Sequence, residues 1–245
     1  MDIIYNIVGG VIVAILTAIF LELRKKYYGY NFKKVFGRDA RDDFNIVHGS
    51  MKLKPVFDNN GNSMKWPYYK DGIGGSFGNI SSVVSLTGAK SIKYVSETFT
   101  KILGISPKLN SDIEVREKLD ISFCSIGGNN NLKTRDVLNS DQNTFFDFDL
   151  SENSANIFSK KNKQKKFSIN QESDYGFIIK ITPKSFPKRV WICIAGLGEY
   201  GTSGAVWFAM KNWKKLPKNK SFGLIIKTRF GQDESAELVY KEIEK

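Results

Sequence analysis

Three near-continuous apolar runs, each closed by glycine or small polar residues, constrain the fold of this chain most. They are Phe44-Asn45-Ile46-Val47-His48 before Gly49-Ser50, Ile121-Ser122-Phe123-Cys124-Ser125-Ile126 before Gly127-Gly128-Asn129-Asn130-Asn131, and Val190-Trp191-Ile192-Cys193-Ile194-Ala195 before Gly196. A strand that is apolar on both sides must be covered on both faces, which is the condition of a parallel sheet between two layers. Between the runs, Val84, Gly88, Ile92, Val95, Phe99, Ile102 and Leu103 recur at three- and four-residue steps. They predict a helix over 79–103 with Gly104 as its stop. A second helix is predicted over 132–138, and the glycine-rich turn 196–204 leads into a third reaching about Leu216. Alternation of this kind predicts an α/β fold with a Rossmann-like, mostly parallel sheet.

Other segments complete the outline. Tyr175–Ile181 and Val190–Ala195, joined by a short turn containing Pro183, predict an antiparallel addition to the sheet, and Phe222–Lys227 a last strand. Ile113–Leu119 reads as a short helix or strand. Ser235–Glu244 reads as a final helix capped by the loop Gly231-Gln232-Asp233-Glu234. A loop rich in glycine, asparagine and aromatics is expected between Pro55 and Gly78, with Trp66-Pro67-Tyr68-Tyr69 and Gly72-Ile73-Gly74-Gly75. The stretch 145–167 is rich in asparagine and lysine, and its Lys160–Lys166 run reads as an exposed hairpin tip.

Residues Ile3 to Leu21 carry no formal charge and are about long enough to cross a bilayer as one helix. Arg24, Lys25 and Lys26 follow at once, then Lys33, Lys34, Arg38 and Arg41, with Tyr27, Tyr28 and Tyr30 where an interfacial aromatic belt is expected. A cleaved signal peptide would carry its positive charge before the apolar run, whereas here Asp2 precedes it. The expected organisation is a transmembrane helix with its basic flank over 1–26, a basic linker over 27–43 and a cytosolic α/β domain over 44–245. The bilayer contact is assigned to residues 3–23. The positive-inside rule puts the amino terminus outside the cytoplasmic membrane and the globular domain in the cytoplasm.

Charge and rare residues narrow the partners. Lys+Arg number 37 against 25 Asp+Glu, a net charge of +12, which favours anionic partners such as phosphate ligands or an anionic membrane face. Two cysteines and one histidine argue against a zinc site, and no metal is expected. Cys124 and Cys193 sit inside apolar runs and read as buried reduced thiols. The lysine run lacks any accompanying nucleic-acid-binding signature, so nucleic acid is not an expected partner.

In open parallel sheets, ligands bind beyond the carboxyl ends of the strands. That places candidate ligand contacts at His48 and Ser50, at Gly127, Gly128, Asn129 and Asn130, and at Gly196, Gly198, Gly201 and Thr202. The last group fits G-x-G-x-x-G between a strand and a helix. A dinucleotide dehydrogenase would need an acidic residue at the end of the next strand. Lys227-Thr228-Arg229 stands there instead, so that class is excluded, and Arg229 is a candidate phosphate contact. Glu199 within the loop and Asp174 before the preceding strand are the nearby carboxylates. A carboxylate here could act as a general acid or base, stabilise a ribosyl cation, hold a ribose hydroxyl or cap the helix. Glu199 is the one catalytic candidate.

Ile126-Gly127-Gly128-Asn129-Asn130-Asn131, Asp174–Ile179 and Ala195–Ala205 together resemble a set of bacterial Rossmann-like domains from conflict and signalling proteins. These are loosely similar to SLOG and TIR-like nucleotide-sensing or nucleotide-processing domains. The resemblance spans about Ser91 to Lys227. It implies a membrane-tethered sensor or effector of anti-phage defence that binds a nucleotide or nucleotide-derived signal; separately, a homo-oligomer is an expected arrangement. Three functions compete. One is a binding module, rather than an enzyme, for a phosphate-bearing small molecule. Another is a hydrolase of a nucleotide or NAD-like glycosidic bond using Glu199. The third is a structural membrane protein whose glycine loops are only turns.

Overall fold

The apolar runs become neighbouring strands. The computed structural model describes residues 2–50, 56–57, 63–64, 84–151 and 154–244, without the side chains of residues 2–9, 56–57, 63–64 and 150–154. The chain begins with α1 (Asp2–Phe36) and β1 (Phe44–His48), then a short hairpin of β2 (Val56–Phe57) and β3 (Ser63–Met64). It continues through α2 (Leu86–Leu103), β4 (Lys108–Ser111), α3 (Asp112–Val115), β5 (Ser122–Ile126) and α4 (Leu132–Leu138). Next come β6 (Phe146–Ser151), β7 (Ser154–Ser159), β8 (Lys166–Ser168), β9 (Ser173–Ile181) and β10 (Trp191–Gly196). The chain closes with α5 (Glu199–Lys211), β11 (Phe222–Arg229) and β12 (Gln232–Ile243). The rest of the expected 55–78 loop lies outside the described residues.

The main sheet has the order β12-β11-β9-β10-β5-β1-β4. The pairs β4–β1, β1–β5 and β5–β10 are parallel, and β10–β9, β9–β11 and β11–β12 are antiparallel. The parallel half thus carries an antiparallel extension, entered where β9 lies against β10. Along β10, Ile192 and Ile194 face one core cluster while Trp191, Cys193 and Ala195 face the other. Two-sided burial is what the unbroken apolar run required. One layer is α2, α5 and the end of α1. The other includes α4 and the antiparallel sheet β6-β7-β8. Both cysteines are buried and free, and burial pushes the Cys124 thiol up to about 12.

Several expectations change. The 27–43 segment is not a linker: α1 continues to Phe36, and Phe32, Val35, Phe36 and Ala40 are buried in the core. Their apolar spacing is hidden among basic residues whose charges remain at the surface. The predicted last helix is instead strand β12, joined to β11 through Phe230 and Gly231, the latter at φ +72°. Pairing with the otherwise open edge of β11 overrides the local helical preference of this segment. The 145–167 stretch folds as β6, β7 and β8, with the lysine run between β7 and β8 as expected. The helix predicted from residue 79 is described from Leu86, with Ser85 Oγ accepting the Gly88 amide at 3.0 Å. Gly104 closes it in the left-handed conformation.

Among the described residues, no helix is long and apolar enough to cross a membrane. The uncharged run Ile3–Leu21 overlaps residues 2–9, whose side chains lie outside the described ones. Farther along α1, Val11, Ile12, Val13, Ile15, Leu16, Ile19, Phe20, Leu21 and Leu23 are all more than half exposed.

The end of α1 is also tied to the sheet by charge. Lys180 on β9 is 1% exposed, and its Nζ donates to the Lys34 carbonyl at 3.0 Å. Burial pushes this ammonium down to about 8. The unfolded chain therefore binds more protons between about pH 8 and 10.5, and stability should rise with pH across that window by at most about 3 kcal/mol. Urea melts of the wild type and Lys180→Met at pH 8 and 10 check this. The substitution should flatten the rise.

Candidate functional site at the carboxyl edge of the parallel strands

A cavity of about 320 Å³ lies beyond the carboxyl ends of β1, β5 and β10. His48 and Gly49 reach it from β1, and Gly127, Gly128, Asn129 and Asn130 from the loop after β5. Gly196, Gly198, Glu199 and Thr202 reach it from the β10–α5 turn. The three strand-end loops therefore meet at one rim. Parallel register sets this arrangement: His48 stands opposite Ile126, and Ile126 opposite Ile194, so the three strands finish level.

The rim formed by the ends of β1 and β5 needs its glycines. Gly127 has φ +104°, a conformation that favours glycine, and a Cβ on Gly49 would lie 2.6 Å from the Asn130 carbonyl oxygen. Asn131 fastens the loop from beneath, its Nδ2 donating to the carbonyls of Val47 at 3.1 Å and Ile126 at 3.0 Å. It also caps α4, accepting the Thr134 amide through Oδ1 at 3.2 Å. The amides of Gly128, Asn129 and Asn130 donate to no described residue, and all three residues line the cavity.

The β10–α5 turn is built differently. Asp174, fully buried at the start of β9, turns its carboxylate into the amino end of α5. Oδ1 accepts the Gly198 amide at 3.1 Å and the Tyr175 amide at 2.7 Å, and Oδ2 accepts the Gly201 amide at 2.6 Å. Burial pushes this carboxyl up, against the downward pull of the three amides. The chain's own carboxylate thus takes two amides that the glycine pattern assigned to a ligand. Asp174 is a helix cap here, stabilised by the partial positive charge of the α5 terminus. Gly201 is packed behind the turn against the Asp174 carboxylate and the Tyr175 carbonyl.

Glu199 opens α5 at the cavity wall. Its Oε2 accepts a hydrogen bond from Thr87 Oγ1 of α2 at 2.8 Å, and Ser85 Oγ lies 3.0 Å from the same hydroxyl. It is the one charged residue among the described ones lining the cavity. The ring Nδ1 of His48 lies 3.3 Å from the Gly49 carbonyl oxygen. Thr202 Oγ1 donates to the Gly198 carbonyl at 3.1 Å.

Besides Gly201, two further candidates are not brought to the cavity. The Ser50 amide donates to Asp112 Oδ1 at 3.1 Å, and Asp112 Oδ2 accepts the Leu132 amide at 2.7 Å. Ser50 thereby anchors the end of β1 to the start of α4. Arg229 ends β11 at the hairpin into β12, pairing with Ser173 and Gln232, while its amide donates to Ser235 Oγ. Strand β9 stands between β11 and β10, so this arginine lies farther along the same edge, outside the residues lining the cavity.

Other wall residues were missed in the sequence. Val84, Ser85, Thr87 and Gly88 come from the amino end of α2, and Phe148 from β6. Ser85 as an N-cap was a usable signal. Phe148 had none, because its strand lay in the stretch with no clear period. No family model and no curated protein matches this chain.

Proposed function

We propose that the chain is a membrane-anchored module that binds a phosphate-bearing, nucleotide-type ligand in the cavity beyond β1, β5 and β10. The observation that carries this reading is the loop Gly128–Asn130, which presents three consecutive amides without a described acceptor along a cavity at the carboxyl edge of a parallel sheet. Phosphate oxygens take these amides, and the cavity volume lies within the range of small-molecule sites. Glu199, Thr87 and His48 supply polar groups for ribose hydroxyls. Anchoring rests on the uncharged Ile3–Leu21 run, the exposed apolar side chains of α1 up to Leu23 and the basic residues beyond them. The amino terminus lies outside, the cavity faces the cytoplasm, and the resemblance to bacterial defence domains favours a nucleotide-derived signal.

Two contacts of α2 support a route from ligand to anchor. Thr87 at one end of α2 meets Glu199 in the cavity, while Phe99 of the same helix packs edge-on against Phe32 and Phe36 of α1. A ligand that repositions the start of α2 acts on the helix that leads to the membrane, and self-association of such anchors is one output.

Thermal melts of the full chain in detergent with AMP, ATP, NAD and a cyclic dinucleotide test the binding. At a hundredfold excess over its Kd, the bound nucleotide should add about 2.7 kcal/mol of stability. Gly128→Val, which drives a side chain towards the Phe148 ring, should remove the shift while the protein remains folded by circular dichroism. Absence of a shift with all four nucleotides would count against the reading. The hydrolase alternative is favoured by Glu199 at the cavity wall. It predicts release of nicotinamide from NAD that Glu199→Gln abolishes without loss of NAD binding.

A further inference from the structure

A second cleft, of about 750 Å³, opens between the exposed part of α1 and the flanks of α2 and α5, and shares no lining residue with the cavity above. Arg24, Lys25, Lys101, Lys211 and Lys214 surround it, against a single carboxylate, Glu97. Glu97 is engaged by Lys93 at 3.6 Å, and none of the five cations forms an ion pair with a described residue. The floor is aromatic and apolar: Tyr28, Trp207, Trp213, Met210 and Ile102. Lys214 Nζ lies 4.1 Å from the centre of the Tyr28 ring, and Arg24 Cζ lies 5.4 Å from it. Hydrogen bonding to Arg24 and Lys214, with their charges, pushes the Tyr28 hydroxyl down, as expected beside a concentration of positive charge.

Leu21 and Arg24 both line this cleft, so it straddles the point where α1 changes from apolar to basic. We propose that it binds an anionic phospholipid. The headgroup phosphate meets Arg24, Lys101 and Lys214, and the acyl chains run past Ile102 and Leu21 into the bilayer. This rests on the reading of residues 3–23 as the anchor, which sets the cleft at headgroup depth. A soluble phosphate would use the cations alone. Adjoining apolar and aromatic surface that opens towards the bilayer fits a molecule with both a charged and an apolar part. The lipid would also touch α2, the helix whose other end walls the nucleotide cavity.

The test uses the full chain in vesicles. Flotation with pure phosphatidylcholine vesicles after an alkaline wash reads the anchor. Tryptophan quenching then compares brominated phosphatidylglycerol with brominated phosphatidylcholine at equal mole fraction, with Trp207→Phe assigning the signal. Stronger quenching by phosphatidylglycerol is expected, and Lys101→Gln and Lys214→Gln should each lower that preference by about fivefold. Failure to float on phosphatidylcholine overturns the anchor, and the lipid site with it. Retained flotation with equal quenching by both lipids overturns the lipid site alone. A preference abolished by inorganic phosphate overturns the lipid as occupant in favour of a soluble anion.

Discussion

Asp174→Ala should destabilise the fold by about 3–5 kcal/mol, because three backbone amides lose their carboxylate acceptor. The carboxylate is the sole described acceptor for the amides of Gly198 and Gly201, and it also holds the Tyr175 amide. Removing it leaves the buried Gly201 donor, at about 1–3 kcal/mol, and the part-buried Gly198 and Tyr175 donors without this acceptor, and strips the α5 terminus of its anion. Asp174→Asn should recover only part of the loss, because one amide oxygen cannot serve donors on both sides. Denaturant melts of the three proteins measure this. A pH signature accompanies it. Because burial raises the folded carboxyl above its unfolded value, the folded state keeps the proton longer. This residue's contribution is therefore complete at low pH and declines as pH rises through the folded value. The difference between wild type and the asparagine variant should show that acid-side slope. Equal stability of wild type and alanine variant would mean that the turn is held by other contacts.

Phe36→Ala should cost about 3–5 kcal/mol, as for other buried phenylalanines. The ring is 1% exposed, stacks on Phe32 at 4.3 Å between centroids, and meets Phe99 at 5.3 Å and Phe44 at 6.2 Å. This aromatic group joins the end of α1 to α2 and β1, so the cavity must close over an emptied space or leave it open. A flexible linker would tolerate the change within about 0.5 kcal/mol. Thermal and urea unfolding of the full chain separate these outcomes. The same variant should weaken any transmission from the nucleotide cavity to the anchor, because α2 would no longer grip α1.

The residue order by itself determined the strands β1, β5 and β10, the helices α2 and α4, and the meeting of glycine loops with strand ends. Each rests on a short-range period or a stop such as Gly104, which local sterics and two-sided burial enforce. Tertiary structure decided the rest. Asp174 claims the amides of the G-x-G-x-x-G turn because β9 runs beside β10, a pairing that no local pattern encodes. Arg229 falls away from the cavity because β9 stands between its strand and β10, and Ser50 because Asp112, distant in sequence, takes its amide. The basic segment after Lys26 continues as α1 because Phe32 and Phe36 find an aromatic partner more than sixty residues away at Phe99, with Val35 in the same core cluster. The last segment becomes β12 because an unpaired strand edge supplies hydrogen-bond partners that outweigh a weak helical preference.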